Sequence, residues 1–201
     1  MLTLHYAPRT RAYRIRWLLE ELGLPHELRR ATYQPPVGDT FVQGTPTGKF
    51  PVLEDGDVVL GESGAIVLYV LERHGGGRLA PPVGSPLRAA FLHWVFFAEA
   101  TAFPPIVTLV WHGRHAKRAE PLPAVRDDAL RRAHGALAVV ERQLADQPYL
   151  VGEEFSGADV MMGFTLVAAR TVGVLGDEYP NLGAYLRRLE ARPAFQRAFA
   201  D

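Results

Sequence analysis

The fold is decided by TPTGKFPVLEDGDVVLGESGAIVLYV, residues Thr45–Val70. Its centre holds two short apolar runs, Pro51–Glu54 and Val58–Leu60, which are joined by Asp55-Gly56-Asp57. An Asp-Gly pair between two such runs is a strong signal for a β-hairpin. Gly61-Glu62-Ser63 follows, with Ser63 in position to cap a helix. The stretch therefore predicts two antiparallel strands and then a helix.

The residues before this stretch predict a strand, a helix and a second strand. Leu2, Leu4 and Tyr6 alternate with polar residues, which indicates a strand with one buried face. A helical face follows, and Gly23 stands where its C-terminal cap belongs. His26–Arg30 is a candidate strand parallel to the first, and residues 33–48 read as irregular with room for one short helix. The predicted order is β-α-β followed by β-β-α, and this order favours one mixed sheet packed by helices.

The residues after this stretch read as helical. The second helix stops at Gly75-Gly76-Gly77, and residues 79–86 have the composition of a linker. Long helices are predicted over residues 87–117 and 124–146, the first interrupted at Pro104-Pro105. Later helices are predicted to begin at three points, namely Ser156 with a capping box to Asp159, Pro180-Asn181 and Pro193.

Composition excludes several classes of function. The 201 residues are 48% hydrophobic and carry 22 basic and 22 acidic side chains, so the formal net charge is zero. Proteins that bind nucleic acid usually have a basic excess, and we expect no such partner. No apolar run of about 20 residues is evident, so we expect no membrane span. The N-terminus lacks the layout of a signal peptide, and we expect a cytoplasmic protein.

The chain has no cysteine. Disulfides, thiolate metal sites and protein thiol nucleophiles are therefore excluded, and any sulfur chemistry needs sulfur from a ligand. His112 and His115 have helical spacing, but no third ligand accompanies them, so we expect no metal. Gly75-Gly76-Gly77 lacks the Lys-Ser/Thr of a phosphate loop.

These motifs together resemble the cytosolic glutathione transferase superfamily over nearly the whole chain. The stretches that carry the resemblance are RIRWLLEELGLPHEL (Arg14–Leu28), Thr45–Val70, FSGADV (Phe155–Val160) and YPNLGAYLRRLEARPAFQRA (Tyr179–Ala198). WLLEELGLP with HWVFFAEATAFPPIV (His93–Val107) is most similar to the bacterial and fungal branch related to the yeast Gtt-type enzymes.

The resemblance implies a two-domain architecture. A thioredoxin-like α/β domain is expected at residues 1–78, and an all-α domain is expected at residues 87–201. It also implies a homodimer in which the first domain of one chain packs on the second domain of the other. No metal or bound organic cofactor is expected, since glutathione enters as a co-substrate.

The same resemblance implies a glutathione site between Lys49 and Ser63. A cis Phe50–Pro51 bond is expected to turn the chain and leave the backbone of Val52 free to pair with the cysteinyl residue of glutathione. The γ-glutamyl carboxylate is expected at Ser63 and the helix N-terminus, with Glu62 near the ligand's ammonium. Lys49 suits the glycyl carboxylate, although an ordinary exposed lysine is an equal interpretation.

The group that activates the thiol is expected in the turn before the first helix. The family uses Tyr, Ser or Cys there. Thr10 stands where related sequences have Ser, and its hydroxyl either donates to a thiolate, caps the helix or does both. Tyr6 is the alternative donor, although its place on the buried strand face favours a core role. Arg11 would add positive charge beside the sulfur.

The predicted reaction is conjugation of glutathione to a hydrophobic electrophile in a pocket between the domains. Phe103, Trp111 and His112 are candidate lining residues of that pocket, although aromatic residues at helical spacing are usually core. A non-catalytic ligand-binding or interaction module is the competing class, because the turn lacks Tyr or Ser. A glutathione-dependent peroxidase or isomerase would use the same thiolate.

Overall fold

A four-stranded mixed sheet forms the centre of the N-terminal part of the chain. The computed structural model describes residues 1–30, 48–115 and 122–200. The strands are β1 (Leu2–Tyr6), β2 (His26–Arg30), β3 (Val52–Asp55) and β4 (Val58–Gly61). Their order is β2-β1-β3-β4. β1 pairs parallel with β2 and antiparallel with β3, and β4 pairs antiparallel with β3. The predicted hairpin and the parallel first pair are confirmed.

Helices make up most of the remaining described residues. They are α1 (Ala12–Leu22), α2 (Ser63–His74), α3 (Arg88–Phe96), α4 (Phe103–His115), α5 (Pro123–Gln143), α6 (Gly157–Thr171), α7 (Pro180–Glu190) and α8 (Pro193–Ala198). Proline opens α5, α7 and α8, where its missing N–H costs no helical hydrogen bond. The short helix predicted within residues 33–48 lies almost wholly outside the described residues.

Two compact units divide the chain. The first comprises Met1–Leu79 with Glu190–Asp201, and the second comprises Ala80–Leu189. The sequence assigns α8 to the helical domain, whereas the structure groups α8 with α1 in the first unit. Aromatic packing explains this, because the Phe195 ring meets the Trp17 ring edge-on at 5.0 Å and Phe195 and Trp17 are both buried.

Helix α1 ends as the sequence predicts. Gly23 adopts φ 63°, its N–H bonds to Glu20 O at 3.2 Å, and the next N–H bonds back to Leu19 O at 3.0 Å. This pattern closes a helix with a residue in the left-handed region, where glycine has no steric penalty. Ile15, Leu18, Leu19 and Leu22 on α1 are buried.

The interruption of the long apolar helix differs from the prediction. A π-helical segment, Phe97–Ala102, separates α3 from α4, and the two prolines lie in the first turn of α4. Pro104 and Pro105 have no N–H to donate to the carbonyls four residues earlier. The regular ladder is therefore lost in the turn before the prolines, and the wider π spacing replaces it.

From its sequence we expect no apolar stretch long enough to span a membrane, but one helical stretch has the length and the composition of a span. Residues Arg88–Arg114 form one 27-residue helical stretch with mean hydropathy 1.4 in its most apolar window. This is weak evidence for a span, because core helices of soluble proteins pass the same test. The stretch packs on α6, where Thr165 Oγ1 donates to Ala98 O at 3.3 Å and the Phe103 and Phe164 ring centroids lie 5.6 Å apart.

A buried carboxylate holds the start of α6. Ser156 N–H and Oγ–H donate to Asp159 Oδ2 at 2.8 and 3.0 Å, and Leu150 N–H and Tyr185 O–H donate to Oδ1 at 3.0 and 2.7 Å. Asp159 is fully buried. Burial raises the pKa of this carboxyl, and the four hydrogen bonds oppose that rise. The predicted capping box is confirmed.

Candidate functional site

A surface cleft opens where β3 and α2 begin. The residues that line it are Arg11, Lys49, Phe50, Pro51, Glu62 and Ser63. Five of the six positions predicted to bind glutathione are thus brought together, and Arg11 joins them from the turn before α1. The Phe50–Pro51 peptide bond is cis, as expected.

Val52 is the predicted binding residue that the cleft does not include. β3 lies between β1 and β4, and Val52 is in register with His5 on one side and Gly61 on the other. Only 1% of Val52 is exposed. The expected free strand side is therefore absent at Val52. The residues of this segment that line the cleft are Lys49, Phe50 and Pro51, immediately before the strand.

The start of α2 also differs from the prediction. Glu62 is the N-cap and makes no side-chain capping bond, while Ser63 is the first helical residue. Glu62 adopts φ 64°, a conformation that costs a non-glycine residue about 1–3 kcal/mol and that occurs most often at functional sites. Ser63 is therefore not the cap, and its side chain contacts a different helix.

This contact is with Arg14, a residue that the sequence reasoning missed. Arg14 Nη1 donates to Ser63 Oγ at 3.0 Å. Arg14 is fully buried and Ser63 is 1% exposed. A signal was available, because Arg14 shares the helical stripe of Leu18 and Leu22, and a charged residue on a buried stripe needs a polar partner.

Thr10 has its hydroxyl occupied within the turn. Its Oγ1 donates to Ala7 O at 2.7 Å and accepts the N–H of Ala12 at 3.3 Å. The second bond satisfies the N–H of the first residue of α1, but the N-cap of that helix is Arg11, so Thr10 does not occupy the predicted capping position. The Thr10 hydroxyl proton, which would have to be donated to a thiolate, is donated to Ala7 O in this structure.

Tyr6 occupies the core position that its strand alternation favours. It is 5% exposed, and the Arg16 guanidinium carbon lies 5.8 Å from its ring centroid.

The charges around the cleft are mixed. Arg11 and Lys49 are cationic, Glu62 is anionic, and the N-terminal turn of α2 adds a positive helix dipole. Within residues 1–30, 48–115 and 122–200 there is no group of three His, Cys, Asp or Glu side chains suited to a metal ion. The side chain of His115 lies outside the described part.

The predicted electrophile-pocket residues all lie on α4 in the second unit. The Phe103 ring packs against Phe164, and Trp111 is 45% exposed. His112 Nε2 is buried and has no hydrogen-bond partner among the described residues.

Two protein-family models match the chain. The glutathione S-transferase N-terminal domain matches residues 4–78, and the glutathione S-transferase C-terminal domain matches residues 123–188. Glutathione S-transferase 1 of Triticum aestivum is 31% identical over 94% of this chain and 88% of its own length.

Solved structures share the fold over the whole chain. A glutathione transferase from Methylococcus capsulatus superposes with a TM-score of 0.86 at 28% identity, over 100% of this chain and 98% of that one. A sphingomonad glutathione S-transferase in complex with glutathione gives a TM-score of 0.84 at 26% identity, over 98% and 97%. These matches confirm the predicted fold class.

Proposed function

The chain belongs to the glutathione S-transferase family, which confirms the predicted enzyme class, and on that premise we propose that it conjugates reduced glutathione, through its sulfur, to hydrophobic electrophiles. The charge pattern of the cleft carries the proposal. Glutathione has two carboxylates and one ammonium, and the cleft offers two cationic side chains, a helix N-terminus and one carboxylate.

In the proposed complex each charged end of the tripeptide has a partner. The γ-glutamyl carboxylate binds at Ser63 and the first turn of α2, and the ammonium binds Glu62. Lys49 takes the glycyl carboxylate. The cysteinyl backbone pairs with the backbone of Phe50, which replaces Val52 in this role because Val52 lies inside the ladder.

The proposed chemistry begins with loss of the thiol proton to solvent. Positive charge lowers a thiol pKa, and Arg11 with the N-terminus of α1 supplies it here. The thiolate attacks an electrophilic carbon, a C–S bond forms, and the leaving group departs with its electron pair. Thr10 assists by donating to the sulfur, which requires its hydroxyl to turn away from Ala7 O. Tyr6 remains the alternative donor. Phe103, Trp111 and His112 are the proposed contacts of the apolar substrate.

One observation favours a second candidate, a glutathione-binding module without catalysis. The Thr10 proton is already bonded to Ala7 O at 2.7 Å and in that position does not donate to a sulfur, whereas the charged residues proposed to bind the tripeptide line the cleft without Thr10. The same thiolate would also serve a peroxidase or isomerase reaction.

Immobilised glutathione and a panel of aromatic and alkyl electrophiles test both candidates. Retention with turnover is expected, and Thr10→Ala is expected to lose about 10- to 1000-fold in kcat while it still binds glutathione. Tyr6→Phe is the matched control for the alternative donor. Retention without turnover supports the binding module, and failure of both contradicts glutathione binding itself.

Several finer features complete the proposal. We place the chain in the Gtt-like branch, as a cytoplasmic homodimer active in detoxification and without a resident cofactor. The sequence motifs support the branch, and the absence of cysteine in all 201 residues agrees with a hydroxyl-assisted mechanism. Sedimentation equilibrium measures the oligomeric state directly.

A further inference from the structure

We infer that Arg14 is a positioning residue for the carboxylate end of glutathione, acting through Ser63. The inference rests on the proposed function. Arg14 lies in the first turn of α1, and its guanidinium reaches the first residue of α2, 49 positions along the chain. It lines no part of the cleft itself, whereas Ser63 does.

The direction of the hydrogen bond determines where the Ser63 proton can point. An arginine side chain carries only donors, so Ser63 Oγ must be the acceptor at 3.0 Å. A serine hydroxyl has one proton, and that proton cannot be aimed at the group that donates to it. The Ser63 proton is therefore left for an acceptor on another side, and the cleft lies on one of those sides.

Burial strengthens the effect. Arg14 is fully buried, and an arginine stays protonated in such a place. A cation behind the hydroxyl polarises the O–H bond and attracts an anion in front of it, and the low-dielectric surroundings reduce screening. A hydroxyl held this way binds a carboxylate better than a freely rotating one, because no rotamer entropy is lost on binding.

Simple stabilisation of the fold is the competing role for Arg14, because the same bond joins α1 to α2. The two roles differ in which ligands they affect. A structural role would weaken every ligand of the cleft. A positioning role for the carboxylate would weaken only those ligands that carry the γ-glutamyl carboxylate.

Three tripeptides separate the two roles by titration calorimetry on the full chain. The first is glutathione. The second is glutaryl-cysteinylglycine, which lacks only the amino group. The third is γ-aminobutyryl-cysteinylglycine, which lacks only the γ-glutamyl carboxylate and keeps the glycyl carboxylate. Arg14→Met is expected to weaken the binding of the first two tripeptides by about 10- to 100-fold, which is the usual effect of losing a hydrogen bond to a charged group. Binding of the third is expected to stay within about twofold.

Ser63→Ala is expected to give the same selectivity, and the double variant is expected to lose little more than either single variant, because the two residues act as one unit. Arg78→Met is the matched control, since Arg78 binds the Leu22 and Gly75 carbonyls away from the cleft. It should leave all three affinities unchanged.

Equal loss for all three tripeptides, or additive losses in the double variant, overturns the role of Arg14. If Arg14→Met fails to fold, Arg14→Lys carries the same test, because it keeps the cation but not the fork of donors. Arg14→Lys is expected to lose affinity only for the two peptides that carry the γ-glutamyl carboxylate. If the wild-type chain binds no glutathione, both the proposed function and this inference are overturned. If the wild-type chain binds glutathione and only the selectivity of the variants is absent, this inference alone is overturned.

Discussion

The contact between Glu21 and Arg192 predicts how strongly α8 is held on α1. Arg192 donates through Nε and Nη2 to the two Glu21 oxygens at 2.6 and 2.8 Å, and Trp17 Nε1 donates to Oε1 at 2.8 Å. The Glu21 side chain is 9% exposed and that of Arg192 is 28% exposed. Glu21→Ala removes all three bonds from a mostly buried site, and we expect a loss of about 3 kcal/mol in the free energy of unfolding.

Glu20→Ala is the matched control. Glu20 is the neighbouring residue of α1, and it pairs with Arg197 of α8 at 2.6 Å. Its side chain is 24% exposed and that of Arg197 is 56% exposed, so solvent screens this pair. Exposed pairs contribute about 0–1 kcal/mol. The helix propensity changes by the same amount in both variants, so the difference between them reflects the deeper burial of Glu21 together with its larger number of hydrogen bonds.

Urea unfolding followed by tryptophan fluorescence measures both variants, with the slope of the transition checked for constancy. The expected difference is about 2 kcal/mol between Glu21→Ala and Glu20→Ala. Added salt should reduce the small effect of Glu20→Ala and leave that of Glu21→Ala nearly unchanged. Equal losses for the two variants, within about 0.5 kcal/mol, would show that the buried Glu21 contacts stabilise the chain no more than the exposed pair.

Two further predictions concern other carboxylates. Asp159→Ala should destabilise the chain by about 3–5 kcal/mol in urea, because it leaves buried donors such as the Tyr185 hydroxyl unpaired; a loss under about 1 kcal/mol would contradict this. Hydrogen bonds from His74 and Tyr69 lower the pKa of Asp55 below its ordinary 3.8, against the effect of burial. The folded chain then holds fewer protons than the unfolded one, so stability should fall as pH drops below that value, and Asp55→Asn should flatten this fall in acid titrations of the urea midpoint.

Local sequence was sufficient to predict several elements because each one depends on neighbouring residues. Asp55-Gly56-Asp57 makes the hairpin since Gly56 supplies φ 60° where the turn requires it. Ser156 and Asp159 bind each other across one helical turn, so their spacing alone predicts the capping box. Gly23 ends α1 for a similar local reason.

Other features depend on groups far apart in sequence and were missed or misplaced. Ser63 reads as an N-cap until its partner Arg14 is known, and that partner is 49 residues away. The position of α8 depends on Trp17 and Glu21, more than 170 residues earlier. Val52 reads as the first free residue of a strand until β1 and β4 are both placed beside it.

This difference explains why the binding half of the candidate site was more predictable than its reactive half. Lys49 to Ser63 is one contiguous segment, and the hairpin within it returns the chain so that both ends line one cleft. The proposed activation of sulfur depends instead on the direction of a single O–H bond at Thr10, for which a sulfur would have to compete with the Ala7 carbonyl 2.7 Å away. One short segment at the start of α1, residues 10–14, supplies Thr10 and Arg11 from the turn before the helix and Arg14 from its first turn. Changes that move the start of α1 should therefore alter the proposed sulfur activation and the proposed carboxylate binding together.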